Sequence, residues 1–313
     1  MGPVSALGTV RTGGLGRREP EPIVAVASGK GGTGKTTVAL NLAVVADRPV
    51  QLLDCDVEAP NTHLFVREPV ERRSAVTIPV PEVDPARCDG CGKCSHFCQF
   101  HAIVSLGTRT LVFPELCHGC GGCTLVCSRR AIRERERQVG VVEERRLGDL
   151  RLVQGRLDVG AALAPPVIRA VKADLDVHTP AILDAPPGTS CPVVTTLLGV
   201  HFVILVTEPT PFGLHDLTLA VAMVRALRIP FGVVVNRLGQ GDERVHRYCR
   251  EQDIAILLEI PDDRRIAEAY ARGKILVDAL PEYRKSFENL WNLLAGRPRV
   301  GRAVQDPELR LRA

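Results

Sequence analysis

Eight of the eleven cysteines fall in two runs of identical spacing, Cys88-x2-Cys91-x2-Cys94-x3-Cys98 and Cys117-x2-Cys120-x2-Cys123-x3-Cys127. Thiolates separated by such short turns can surround one face of an iron–sulfur cubane. Gly90, Gly92, Gly119, Gly121 and Gly122 let backbone N–H groups reach the sulfurs. Zinc is the competing metal, but its four-ligand sites leave the third and fourth spacings unexplained. A second constellation is SGKGGTGKTT at 28–37, which satisfies G-x-x-x-x-G-K-[ST] over 29–36. Backbone N–H groups of Gly29, Gly31, Gly32, Thr33 and Gly34 can turn inward around phosphate oxygens, helped by the positive end of the following helix. Lys35 then neutralises the terminal phosphates, the hydroxyl of Thr36 ligates magnesium, and Thr37 completes the loop.

These residues need elements to hold them. IVAVAS at 23–28 reads as a strand feeding the glycine loop, and 35–46 as the helix after it. PVQLLD (49–54), AILD (181–184), FVILVT (202–207), FGVVVN (231–236) and IAILLEI (254–260) are near-continuous apolar runs, as in strands covered on both faces. Helical patterns at 213–228, 242–252, 264–272 and 281–294 alternate with them, which predicts an α/β fold around a parallel sheet. The Cys/Gly-rich stretch 82–133 breaks this rhythm and reads as a small domain inserted into a discontinuous one, 22–81 and 134–296. RERERQVGVVEERR beside it predicts exposed strands or a hairpin, and 1–21 and 297–313 read as flexible tails.

Composition excludes several classes. Of 313 residues 45% are hydrophobic and 24% charged, enough apolar material for a core. A net charge of +4 and a pI near 8.5 fall short of a nucleic-acid footprint. The longest apolar run, 193–206, is too short to span a bilayer and contains His201. The expectation is a soluble, cytoplasmic protein with no nucleic-acid partner and no membrane span, whose cysteines are metal ligands rather than disulfides.

The second lysine in the loop, Lys30 in KGGTGKTT, resembles the deviant Walker A box of the MinD/ParA/Mrp ATPases, to which the nitrogenase iron protein also belongs. The resemblance implies that Lys30 reaches a partner's phosphates across a homodimer that sandwiches ATP. LLDCDVEAPN (52–61) resembles that family's second motif and implies a role for Asp56 near the attacking water and the magnesium shell. AILDAPPGTS (181–190) resembles its Walker B and switch stretch, so Asp184 would hold magnesium and Gly188 would sense the γ-phosphate. VVVNR (233–237) resembles the base-contacting strand end, with Asn236 on adenine and Pro261 and Asp262 lining the base pocket.

The cysteine runs have the spacing of bacterial two-cluster ferredoxins, in which the fourth cysteine serves the other cluster. One 4Fe-4S cluster is thereby assigned to Cys88, Cys91, Cys94 and Cys127, the other to Cys117, Cys120, Cys123 and Cys98. Gln99 and Ser128 stand where ferredoxins carry proline, and Arg129 or Arg130 would raise a cluster's potential. Together the motifs resemble MinD-superfamily P-loop ATPases with an inserted small α+β bacterial-type ferredoxin domain. That family implies ATP, Mg2+ and two 4Fe-4S clusters; because the insert follows the Asp56 loop, the expectation is that ATP binding and dimer closure gate electron transfer to an unidentified redox or iron–sulfur acceptor protein. A cluster-assembly carrier of Mrp type and a MinD-like positioning ATPase are the alternatives. Cys55 and Cys249 read as structural; Cys191, seven residues after Asp184, reads as structural or as a redox thiol.

Overall fold

The computed structural model describes residues 21–107 and 109–296. In chain order the strands are β1 (Ile23–Ala27), β2 (Val50–Asp54), β3 (Arg72–Val83), β4 (Ile103–Leu106), β5 (Arg109–Val112), β6 (Ile132–Leu147), β7 (Leu150–Leu157), β8 (Ala181–Asp184), β9 (Phe202–Thr207), β10 (Phe231–Leu238) and β11 (Ile256–Pro261). The helices are α1 (Lys35–Val44), α2 (Lys93–Phe97), α3 (Gly122–Leu125), α4 (Ala164–Ala173), α5 (Cys191–Leu197), α6 (Pro211–Ala226), α7 (Arg244–Glu251), α8 (Arg264–Ala271), α9 (Leu276–Ala279) and α10 (Arg284–Ala295). The tails expected over 1–21 and 297–313 lie outside the described residues, except Glu21, whose N–H donates to the Val177 carbonyl.

A sheet of order β11-β10-β9-β1-β8-β2-β7-β6-β3 forms the centre. From β11 to β7 all pairings are parallel. Side chains alternate across it, so each strand supplies two cores. Val24, Val26, Leu52, Ile182 and Ile204 pack with α1 and α10, whereas Ala25, Leu53, Leu183, Val203 and Leu205 pack under α4 to α7. This double cover is why those strands read as continuous apolar runs.

The other edge departs from the purely parallel sheet expected from sequence. β6 pairs antiparallel with both β7 and β3. A tight turn at Gly148 (φ +56) joins β6 to β7, and so short a link permits only antiparallel pairing. The expected exposed strands or hairpin at RERERQVGVVEERR is a single 16-residue strand. Its first half is exposed, but residues 139–144 are buried inside the sheet. β3 and β6 form a two-stranded ribbon running from the sheet to the cysteine-bearing segment, pairing from Arg72↔Glu144 out to Val83↔Ile132. α4 sits on the base of this ribbon, where Gly140 and Gly155 leave room for Val167 and Val171.

Charged residues can enter this edge because they are paired. Glu144 is 7% exposed. It accepts from Arg151 Nε (2.8 Å) and Nη2 (3.0 Å), from Arg72 Nε (3.2 Å) and Nη2 (3.1 Å), and from Arg146 Nη2 (3.0 Å). Hydrogen bonds from Arg151, then Arg72, hold its carboxyl down to about 2 against the opposing effect of burial. A depressed carboxylate stabilises the fold above its ordinary value of 4.5 and loses that contribution as pH falls toward 2. Urea unfolding should show Glu144→Gln destabilised by about 3 kcal/mol at pH 7, with the gap to the wild type closing between roughly pH 4 and pH 2.

Candidate nucleotide cleft and cysteine sites

The parallel register carries the phosphate loop and two aspartates to one edge of the sheet. Val26 stands beside Asp184, and Asp184 beside Asp54. The loop leaves β1 through buried Ser28 and enters α1 through Gly34, which is left-handed at φ +96. Beside it opens a cleft of about 530 Å3 lined by Gly31, Gly32, Gly34, Lys35, Thr36, Thr37, Asp56 and Asn236. Thr33 and Asp184 lie buried beneath this surface. Gly188 (φ +94) donates its N–H to the Ser28 carbonyl at 2.9 Å, which ties the stretch after β8 to the start of the loop.

Charge in the floor of the cleft is unbalanced. Thr36 Oγ1 donates to Asp184 Oδ2 at 2.6 Å, while the buried Asp184 Oδ1 has no hydrogen-bond partner. Burial lowers the Lys35 ammonium, opposed by Asp184, Asp56 and Asp54. Burial raises Asp184, and the neighbouring Asp54 adds to it. Asp56 is pushed up to about 6 by burial and then by Asp54, with Lys35 opposing. Three carboxylates crowd one ammonium, and the orphaned Asp184 oxygen beside the Thr36 hydroxyl is a pair of hard oxygen donors suited to a divalent cation.

Asp54 was not singled out from the sequence, although it is the more deeply buried acid of the Asp-Cys-Asp triplet. It accepts from the backbone N–H of Asp56 (3.1 Å), Asn61 (3.3 Å) and Thr62 (3.3 Å), from Thr62 Oγ1 (2.6 Å) and from Gln154 Nε2 (2.9 Å). It thereby fixes the loop that presents Asp56. Tyr270 was also missed; it lines the cleft and its hydroxyl accepts from Asn61 Nδ2 at 3.3 Å. Pro261 and Asp262 line the cleft. Asn236 also lines it, but one amide N–H is already spent on the Thr33 carbonyl at 2.8 Å. Lys30 turns away from the cleft and pairs with Glu208.

Between β3 and β6 the two cysteine runs fold as repeats of each other. Gly92 and Gly121 precede α2 and α3 with φ of 72° and 70°. His101 and Arg130, each three residues past a fourth cysteine, are left-handed at φ 52° and 49°, so the two repeats turn at the same position. Asp84 N donates to Ala131 O (2.7 Å) and Phe113 N to Ala102 O (2.8 Å), equivalent bonds that each tie the start of one repeat to the end of the other. Cys88, Cys91, Cys94 and Cys127 line one hollow, and Cys98, Cys117, Cys120 and Cys123 line the other. The hollows measure about 20 and 350 Å3. Among the described residues no three His, Cys, Asp or Glu side chains converge as around a single metal ion.

Burial, and then repulsion between neighbouring thiolates, disfavours ionisation in these sets. Burial raises Cys94 and Cys117 and pushes Cys123 up to about 11, with Cys117 and Cys120 adding to the last. Sulfur also accepts from backbone: Gly119 N–H reaches Cys117 Sγ at 3.4 Å and Ala131 N–H reaches Cys127 Sγ at 3.3 Å. Arg129, expected as a cation near a cluster, is paired with Asp89 at 2.8 Å, so its charge is partly cancelled. Of the other cysteines, Cys55 and Cys249 are buried, and burial pushes both thiols up. Cys191 is exposed at the first residue of α5.

The chain is similar to several known proteins. An uncharacterized protein of Methanocaldococcus jannaschii is 30% identical over 260 residues, 80% of this chain and 90% of that protein. An iron-sulfur cluster carrier protein of Aquifex aeolicus is 27% identical over 295 residues, 87% of this chain and 67% of that protein. In fold, the septum site-determining protein MinD complexed with Mg-ADP from Pyrococcus horikoshii aligns with a TM-score of 0.54 and 20% identity over 88% of this chain and 96% of its own. The family model for the CobQ/CobB/MinD/ParA nucleotide binding domain matches residues 24–277, spanning the phosphate loop, the aspartate cluster and the strand end at Asn236. The chain belongs to the CobQ/CobB/MinD/ParA nucleotide-binding family.

Proposed function

We propose that the chain binds and hydrolyses Mg·ATP and carries two 4Fe-4S clusters, and that nucleotide-driven dimerisation gates electron transfer from them to a partner protein. The observation that carries this reading is the join between the two sites. Leu157 N–H donates to the Val57 carbonyl at 2.8 Å, and Val57 follows Asp56 directly. Leu157 ends β7, which pairs with β6, and β6 with β3; the cysteine segment hangs on that ribbon. A shift of the Asp56 loop would therefore pull on the stem of the cysteine sites, in the manner of nucleotide-ordered switch loops.

The residues take the following roles. Backbone N–H groups of 29–34 and the Lys35 ammonium hold the phosphates. Thr36 and Asp184 hold the magnesium ion, whose charge offsets the crowded carboxylates. Asp56 orients the attacking water, Gly188 reads the γ-phosphate, and Asn236 contacts the base through its remaining amide groups. Lys30 serves the partner's nucleotide in the dimer. The clusters supply one-electron transfer when bound. Cys88, Cys91, Cys94 and Cys127 would hold one, and Cys98, Cys117, Cys120 and Cys123 would hold the other. The thiols must be deprotonated to bind, so metal uptake releases protons.

Delivery of a cluster is the second reading, favoured by the name of the Aquifex aeolicus relative and by the exposure of Cys91 and Cys120. A positioning ATPase is supported least. The apolar side of α10, with Phe287, Leu290, Trp291 and Leu294, is spent on the core. Among the described residues no helix is long and apolar enough to cross a membrane.

Anaerobic purification should give about eight irons and eight sulfides per chain. Cys94→Ala should retain about half of each; zinc in place of iron, or no sulfide, would refute the cluster assignment. Lys35→Ala should lose ATP binding. Asp56→Asn should bind ATP yet turn it over roughly 100-fold more slowly, as checked by equilibrium binding and phosphate release. Movement of iron to an apo-acceptor would favour the carrier reading, and full retention through redox cycles would favour electron transfer.

A further inference from the structure

The sheet order places β9 between β1 and β10, so the residue after β9 faces the loops that follow both neighbours. That residue is Glu208, 6% exposed. Its Oε2 lies 2.8 Å from Lys30 Nζ and its Oε1 2.7 Å from Arg237 Nη1. One buried carboxylate thus holds a cation from the phosphate loop and another from the strand end that carries Asn236. We propose that Glu208 is the positioning residue for Lys30, holding its ammonium against its own chain in the nucleotide-free protomer, and that Arg237 sets how easily Glu208 lets it go. The proposal rests on the reading above, in which Lys30 serves a nucleotide phosphate.

A buried carboxylate stripped of its single cation is costly, but one that keeps a second cation is not orphaned. With Arg237 in place, Lys30 can leave Glu208 for a competing anion. Arg237 is itself held in a left-handed conformation at φ 57°, which ordinary side chains adopt only when their surroundings impose it. The Lys30 side chain is 31% exposed, so a phosphate arriving from outside the protomer's own cleft can reach its ammonium, while Arg237, at 47%, is open to solvent as well. The exchange moves a cation between two anions and breaks no covalent bond.

The arrangement predicts effects of opposite sign for two substitutions. The chain has six lysines, and acetylation by acetic anhydride can be followed at each by mass spectrometry on the nucleotide-free full-length protein. An ammonium held on a carboxylate must leave it before reacting. Glu208→Gln should speed acetylation of Lys30 by about tenfold, the population change that one charge-assisted hydrogen bond carries, with exposed Lys274 and Lys285 unchanged. Arg237→Gln should slow it, because Lys30 becomes the carboxylate's remaining cation. Buried Lys35 stays slow in both if the fold is intact. Wild-type rates at Lys30 in Glu208→Gln, or the same direction of change in both variants, would overturn the proposal. Opposed changes in the variants, with no response of wild-type Lys30 to Mg·ATP under self-associating conditions, would uphold Glu208 as the positioning residue and refute the assigned Lys30–phosphate contact.

Discussion

Two aspartates stand opposite each other on neighbouring parallel strands, both buried: Asp54 on β2 and Asp184 on β8. Like charges in that register oppose each other, and the rest of the site is arranged around this repulsion. Asp54 is satisfied by five hydrogen bonds from its own loop, from Thr62 and from Gln154 on β7. Asp184 has Thr36 on one oxygen, Lys35 nearby and nothing on the other oxygen. The fold thus brings together a cluster one cation short of balance at the mouth of a phosphate loop. That imbalance is the physical basis for reading the cleft as a site for a magnesium nucleotide.

The same strand that answers Asp54 also connects the cleft to the cysteines. Gln154 lies in β7, and the end of β7 bonds to Val57 beside Asp56. β7, β6 and β3 then extend the sheet into the ribbon that carries the second segment. α4 braces the base of the ribbon and reaches toward α5, where Lys172 Nζ donates to the carbonyls of Thr195 (2.8 Å) and Thr196 (2.9 Å). α5 in turn follows the stretch that contains Gly188. Both loops expected to respond to a γ-phosphate therefore abut the structure that supports the cysteine sites.

Much of this was readable because the chemistry is local in sequence. The phosphate loop and the cysteine runs each lie within about a dozen residues, and spacing alone defines them. The apolar strands were legible because both faces are covered. The antiparallel edge was not, since Glu143 and Glu144 sit among arginines and look like solvated surface. Their burial depends on ion pairs to residues as distant as Arg72 and Arg73. Glu208 escaped for the same reason: its partners Lys30 and Arg237 meet it only through the strand order. Asp54 was hidden behind Asp56, because sequence shows two acids and the fold decides which supports and which faces the cleft. The roles of Asn236 and Arg129 were modified by contacts that no motif records, the Thr33 carbonyl and Asp89.

The central claim is that nucleotide state reaches the cysteine-bound clusters through the β7–β6–β3 edge. It is tested most directly by an EPR-monitored redox titration of the anaerobic, iron-loaded protein without nucleotide, with Mg·ADP, and with a non-hydrolysable Mg·ATP analogue, using Lys35→Ala as control. The account predicts that the ATP analogue shifts the midpoint potential or reduction rate of at least one cluster in the wild type and leaves Lys35→Ala unchanged. Identical titrations and reduction rates in all nucleotide states of the wild type would contradict it.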